Sequence, residues 1–85
     1  MLLFPGLTLE CPELNTELKE VTGRGSMRGV KSWGECSSLC QRRNECKFWN
    51  WLRKTRRCYT MNDAGKKERN TNFIAGEKNC TAGNK

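Results

Sequence analysis

The sequence predicts a small, disulfide-rich α+β domain, with one short helix set beside several short antiparallel strands. Three observations carry this reading. Six cysteines stand among 85 residues, and an even count in a short chain is how small secreted domains replace missing core. Ser32 and Glu35 form an S-x-x-E capping box, which satisfies two orphan amides at a helix start, and Cys36, Leu39 and Cys40 then fall on one helical face. The chain beyond the helix breaks into aromatic or apolar runs divided by polar connections, the pattern of strands. At this length a fold buries only a little over ~60% of its unfolded surface, and such a core rarely supplies more than about 3–5 kcal/mol. One domain, stapled in an oxidising compartment, is the expectation.

The elements follow in order. Residues 1–10 read as linker or flexible N-terminus: MLLFPGLTL is too short and too broken by Pro5 and Gly6 to span a membrane, and it lacks the basic start of a signal peptide. A disulfide-rich domain without an export signal is expected to be a module of a longer secreted chain. From Cys11 to Val21, Leu14, Leu18 and Val21 are spaced by four and three, which suits one or two helical turns or a strand with a bend, and the pattern does not choose. TGRGSMRG, with three glycines in seven residues, reads as loop or irregular edge. Residues 32–43 are the helix, with Trp33 one turn before Cys36 and with Ser37, Ser38, Gln41 and Arg42 on the other face. Residues 46–52 are extended, 53–57 a polar connection, and Cys58, Tyr59 and Met61 resume a strand, which makes a hairpin. Residues 62–72 are polar with a turn expected at AGKK; Phe73 to Gly76 begins a last strand that reaches Cys80, and 81–85 read as a flexible tail.

Composition narrows the function. Zinc needs ligands at spacings such as C-x2-C, whereas the cysteines here are separated by 24, 3, 5, 11 and 21 residues and the chain has no histidine. Without histidine the usual general base and the Ser-His-Asp arrangement are lost. No carboxylates pair in apolar surroundings, so neither catalysis nor a cofactor is expected. The formal charge is +7; residues 1–20 hold four glutamates and one lysine, net −3, which leaves +10 for residues 21–85. A basic body favours anionic partners; the plain alternative is a solvated surface kept for solubility.

The run KFWNWLRKTRRCY, residues 47–59, combines Phe48, Trp49 and Trp51 with Arg53, Lys54, Arg56 and Arg57. Rings beside cations suit a single-stranded nucleic acid, and they equally suit a buried strand followed by a solvated hairpin tip. The second is preferred, with no nucleic acid as partner. Asn79-Cys80-Thr81 matches the N-x-[ST] pattern and makes Asn79 a candidate glycosylation site.

Geometry favours the helix cysteines bridging the hairpin: Cys40 is six residues from Cys46, and Cys36 lies one turn earlier, level with a second strand. Cys11 and Cys80 are left to tie the ends, although six cysteines permit about fifteen pairings. Cys11, the box Ser32 and Glu35, the C-x3-C of Cys36 and Cys40, Cys46 with Trp49 and Trp51 after it, Cys58, Gly76 and Cys80 together resemble the PAN/apple module over residues 11–80. Within that family the chain is most similar to the apple modules of apicomplexan microneme adhesins. The resemblance implies a twisted antiparallel sheet of about five strands with one helix packed on it. It also implies bridges Cys11–Cys80, Cys36–Cys58 and Cys40–Cys46, with Trp49 and Trp51 on the strand face that the helix covers. Tyr59, Thr60 and Met61 depart from the family's usual residues after the fifth cysteine.

What the resemblance implies for function is a non-catalytic extracellular adhesion or assembly module, secreted or held in the lumen of a secretory organelle. It would be one of several tandem modules in its parent, without membrane insertion, and bind a host-cell or parent-complex protein. Tyr59, Met61 and Trp33 are candidate anchors if exposed. The alternative is a site for sulfated, heparin-like glycans, formed by Arg53, Lys54, Arg56 and Arg57 at the hairpin tip with Lys66, Lys67 and Arg69 in the following loop.

Overall fold

The computed structural model describes residues 7–82. Five strands and one helix follow one another as β1 (Glu13–Thr22), β2 (Gly25–Met27), α1 (Trp33–Gln41), β3 (Phe48–Leu52), β4 (Arg57–Met61) and β5 (Asp63–Glu77). The strands form one sheet in the order β1-β5-β3-β4-β2, antiparallel at every pairing. This is the α+β, disulfide-rich arrangement that the sequence predicts.

Side-chain alternation sends β3 to two different cores. Trp49 and Trp51 face α1 and join Val30, Cys36, Cys40, Cys46, Cys58 and Ile74, with Trp33 and Leu39 packed at the margin. Phe48, on the opposite face, joins Leu18, Met61 and Ala75, with Leu7, Leu9, Val21, Tyr59 and Ala64 around them. The indole N–H of Trp49 donates to the Glu77 carbonyl at 3.0 Å and that of Trp51 to the Val30 carbonyl at 2.9 Å, so each large ring is buried without an orphan donor. Trp33 stacks on Trp49 with centroids 5.7 Å apart and planes 7° from parallel. Gly76, paired with Trp49 across β3 and β5, leaves room for that indole; a Cβ there would run into the six-membered ring.

The helix starts where the box puts it. Ser32 holds extended backbone angles and its Oγ accepts from the Glu35 amide at 3.2 Å; the Glu35 carboxylate reaches back to the Lys31 amide at 2.8 Å, one residue before the cap. The cysteines pair as the resemblance implies: Cys11–Cys80, Cys36–Cys58 and Cys40–Cys46. Two of these bridges pin α1 to the hairpin. The third joins residues 69 apart in sequence, and on the loop-entropy account a loop of that size stabilises by about 4–4.5 kcal/mol.

At three places the structure adds to the sequence reading or departs from it. The open choice at residues 11–21 resolves as strand β1. The turn expected at AGKK is absent: these residues run straight through β5, a 15-residue strand whose first half pairs only with β1. Between Leu14↔Ile74 and Thr16↔Arg69 the register advances two residues on β1 and five on β5, so both strands bend there. Beyond the bend, β1 and β5 form a ribbon folded over the face of the sheet opposite α1. The β5 half of the ribbon is polar and almost wholly exposed, whereas β1 turns Thr16 and Leu18 inward, with Leu18 packed into the second core. Residues 7–10, expected as linker, lie against the second core through Leu7 and Leu9, and the Thr8 carbonyl accepts from Lys67 at 2.9 Å. The remainder of that linker and residues 83–85 of the expected tail lie outside the described residues.

Asn50 locks the ribbon down. Buried on the β3 face away from α1, its side-chain oxygen accepts from the Leu18 amide at 2.9 Å and its Nδ2 donates to the Leu18 carbonyl at 3.2 Å. One amide thus supplies both halves of a missing ladder rung between β1 and β3, and satisfies two buried backbone groups at once.

Candidate functional site

The cations of the hairpin are delivered by the turn between β3 and β4. The Arg53 amide donates to the Asn72 carbonyl at 2.9 Å, and the Arg56 carbonyl accepts from Val30 at 2.9 Å, so the turn is fastened on both sides. Arg56 takes a positive φ of 56°, which turns the backbone toward β4. Lys54 and Arg56 are exposed at the tip. Arg53 and Arg57 leave in different directions. The Arg53 guanidinium donates to Asn15 Oδ1 at 3.2 Å and to the Thr71 carbonyl, at the bend in the ribbon. Arg57 reaches Ser26 Oγ at 3.5 Å, at the β2 edge.

Lys66, Lys67 and Arg69 sit on β5 rather than in a loop. Period-two alternation puts Lys67 and Arg69 on one side of the ribbon and Lys66 on the other. Lys67 ion-pairs with Glu13 at 3.0 Å and Lys66 with Glu68 at 3.2 Å. Glu13 also accepts from the Glu10 amide at 2.7 Å; that bond first, then Lys67, holds its carboxyl below the usual value of 4.5. Lys67 and Arg69 line a shallow concavity with Leu14 and Asn15. Through Asn15, Arg53 therefore joins the Lys67 and Arg69 side of the ribbon, while Lys54 and Arg56 stand at the tip, Arg57 at the far edge and Lys66 on the reverse side. The seven cations form several small groups.

The candidate anchors fare differently from one another. Met61 is a correction: at 1% exposure it belongs to the second core, because its strand position shares a face with Leu18 and Phe48. Trp33 is half-buried against Trp49. Tyr59 is half-buried, with the Arg24 guanidinium 4.9 Å above its ring. The large apolar side chains exposed among the described residues are Leu14 at 57% and Met27 at 52%, one on each outer strand of the sheet. Trp49 and Trp51, within the core, leave no stacking platform beside the hairpin cations. Asn79 is exposed, next to the bridged Cys80. All six cysteines are in disulfides, so none is a free thiolate for a metal.

One surface was not singled out from the sequence. Between α1 and β2 lies a cavity of about 200 Å³, with Met27, Leu39 and Cys58 on its walls and Arg42 and Arg43 at its side. Arg42 and Arg43 look in sequence like an ordinary polar helix exit, and Met27 lies in a glycine-rich stretch; no local signal joins them.

No curated protein matches this chain. Among protein families, the PAN domain matches residues 14–83, which takes in the helix, the sheet apart from Glu13 and five of the six cysteines. PAN domains are in general non-catalytic modules that bind proteins or carbohydrates. With a capped helix bridged twice to a β-hairpin, a five-stranded antiparallel sheet and a family match over most of its length, the chain belongs to the PAN domain family.

Proposed function

We propose that this chain is an extracellular adhesion or assembly module that binds a protein partner, one module of a larger secreted protein with tandem copies. The observation that carries this reading is membership of a family of protein- and carbohydrate-binding modules, on a scaffold whose three disulfides suit an oxidising compartment. No helix among the described residues is long and apolar enough to cross a membrane. A module of this size offers a patch of roughly 800 Å² per partner. The test is a screen of the oxidised domain against a glycan array and, in parallel, against immobilised extracellular proteins including the other segments of its parent chain. Saturable binding to protein with none to glycan supports the proposal; binding to glycan alone replaces it.

A sulfated glycan at Arg53, Lys54, Arg56 and Arg57, extended by Lys66, Lys67 and Arg69, is the second reading, favoured by the exposure of Lys54 and Arg56 at a fastened turn. Against it stand the ion pairs of Lys66 and Lys67, which already neutralise two of the seven cations. Retention on heparin resin that collapses when the two hairpin pairs become alanine would establish this site. Unchanged retention would remove it.

A further inference from the structure

Among the described residues the sheet order leaves the outer side of β2 without a neighbouring strand, while its inner side pairs with β4 as Gly25↔Thr60, Ser26↔Tyr59 and Met27↔Cys58. Met27 and Cys58 share the face toward α1, so the cavity of about 200 Å³ opens along this free edge. Drug-sized ligands occupy roughly 300–1,000 Å³, and the smaller volume here suits a single apolar side chain. Its walls are Met27, half exposed, and the half-buried Leu39.

Charge selects the occupant. Arg42 and Arg43 line the cavity and no carboxylate does. The three ion pairs found among the described residues engage Lys19, Lys66 and Lys67, and neither of these arginines. Arg43 lies over the edge strand itself: a Cβ built on Gly25 would stand 3.4 Å from its Nη1, ordinary contact distance, so the guanidinium rests directly against this strand. Arg57, bonded to Ser26 Oγ, lies at the same edge but on the sheet face away from α1, so the groove's own guanidiniums are those of Arg42 and Arg43. Guanidinium groups beside an apolar slot and an unpaired strand edge match one chemistry: an extended acidic peptide.

We propose that the groove between α1 and β2 docks an extended acidic segment of a partner protein, which adds as a strand beside Gly25–Met27, inserts one apolar side chain between Met27 and Leu39, and places carboxylates against Arg42 and Arg43. This rests on the protein-binding reading above and names the partner surface and its chemistry. A paired run of three residues supplies few backbone bonds, so the apolar anchor and the carboxylates carry the selectivity.

The test is fluorescence anisotropy of the oxidised domain with three labelled ten-residue peptides: an acidic one with a central leucine, the same peptide with serine in place of leucine, and a basic one with leucine. Only the first is expected to bind. Arg42→Glu with Arg43→Glu is expected to weaken it at least tenfold, and Met27→Lys similarly. Lys54→Glu, at the hairpin tip and outside the lining of the groove, is expected to leave it within twofold. Retained amide chemical-shift dispersion in each variant shows that the fold persists. Absence of binding to the first peptide, equal binding to the serine peptide, insensitivity to the Arg42 and Arg43 changes, or equal loss in the hairpin variant overturns the groove. So does a heparin oligosaccharide that shifts the Arg42, Arg43 and Met27 amides when the peptide does not. If the domain captures a folded extracellular partner while the peptide arm fails, the protein-binding reading stands and this surface alone is withdrawn; if neither binds, both fall.

Discussion

On the face of the sheet beneath α1, Trp49 and Trp51 are packed against two disulfides and a stacked third tryptophan. On the opposite face the ribbon of β1 and β5 sets Leu18 against Met61 and Ala75 and is held by a backbone ladder and the two hydrogen bonds of Asn50. The first face combines large apolar rings with covalent ties. The second relies on small and medium side chains and on polar groups that must all be satisfied. A domain of this size thus reaches stability by two routes, and the ribbon face is where loss of a single polar atom is felt.

The largest expected effect tests the aromatic face. Trp49→Ala removes the ring between Trp33 and Gly76 and leaves the Glu77 carbonyl without its indole donor, at a cost of about 3–5 kcal/mol. Guanidinium denaturation of the oxidised protein measures it. A cost below ~1 kcal/mol would mean that the disulfides alone hold this face.

Asn50→Ala addresses the ribbon. It strands the amide and carbonyl of Leu18, both buried, and is expected to destabilise by about 2–3 kcal/mol. Hydrogen exchange should show the loss concentrated in β1 and the first half of β5, with α1 little affected. Uniformly faster exchange would show that the two faces fold as one unit.

Ser37 sharpens the comparison from the helix side. Its hydroxyl is fully buried with no hydrogen-bond partner among the described residues. Ser37→Ala is therefore expected to stabilise by up to about 1 kcal/mol, a rise of several degrees in Tm. A drop in Tm would reveal a partner for that hydroxyl.

The smallest effect belongs to Glu13, where the ribbon meets residues 7–10. Its carboxyl is held below the usual value by the Glu10 amide and Lys67. A lowered folded value means that the unfolded chain binds the proton more readily, so the contribution is present above the unfolded value near 4.5 and is lost as pH falls through the folded value. The stability difference between wild type and Glu13→Gln is expected to be larger at about pH 6 than at about pH 3; an equal difference at both pH values removes this linkage.

The helix, its cap and the hairpin were legible because their signals are local. Ser32, Glu35, Cys36 and Cys40 lie within nine residues, and the alternation of Trp49 and Trp51 is read from two positions. The AGKK segment was misread because a strand exposed on both sides and a polar turn have the same composition: with neither face buried, no apolar alternation marks the strand. Asn50 carried no signal either, since a buried amide and a surface amide are the same letter, and only the approach of Leu18 from 32 residues away distinguishes them. Met61 followed the strand period correctly, but which side of β4 faces water depends on where the ribbon folds.

The groove between α1 and β2 follows the same logic. Met27, Leu39, Arg43 and Cys58 are scattered over the sequence, and only the closing of β2 onto β4 and of α1 over the sheet brings them to one cavity. The sequence by itself determined the fold class, the capped helix and the family, because capping, periodicity and cysteine spacing are written in residues near one another along the chain. Tertiary structure alone decided the path of β5, the burial of Asn50 and Met61, the dispersal of the seven cations and the groove between α1 and β2. Each of these depends on which distant strand arrives beside a residue, and that is set by the packing of the whole sheet rather than by any local preference.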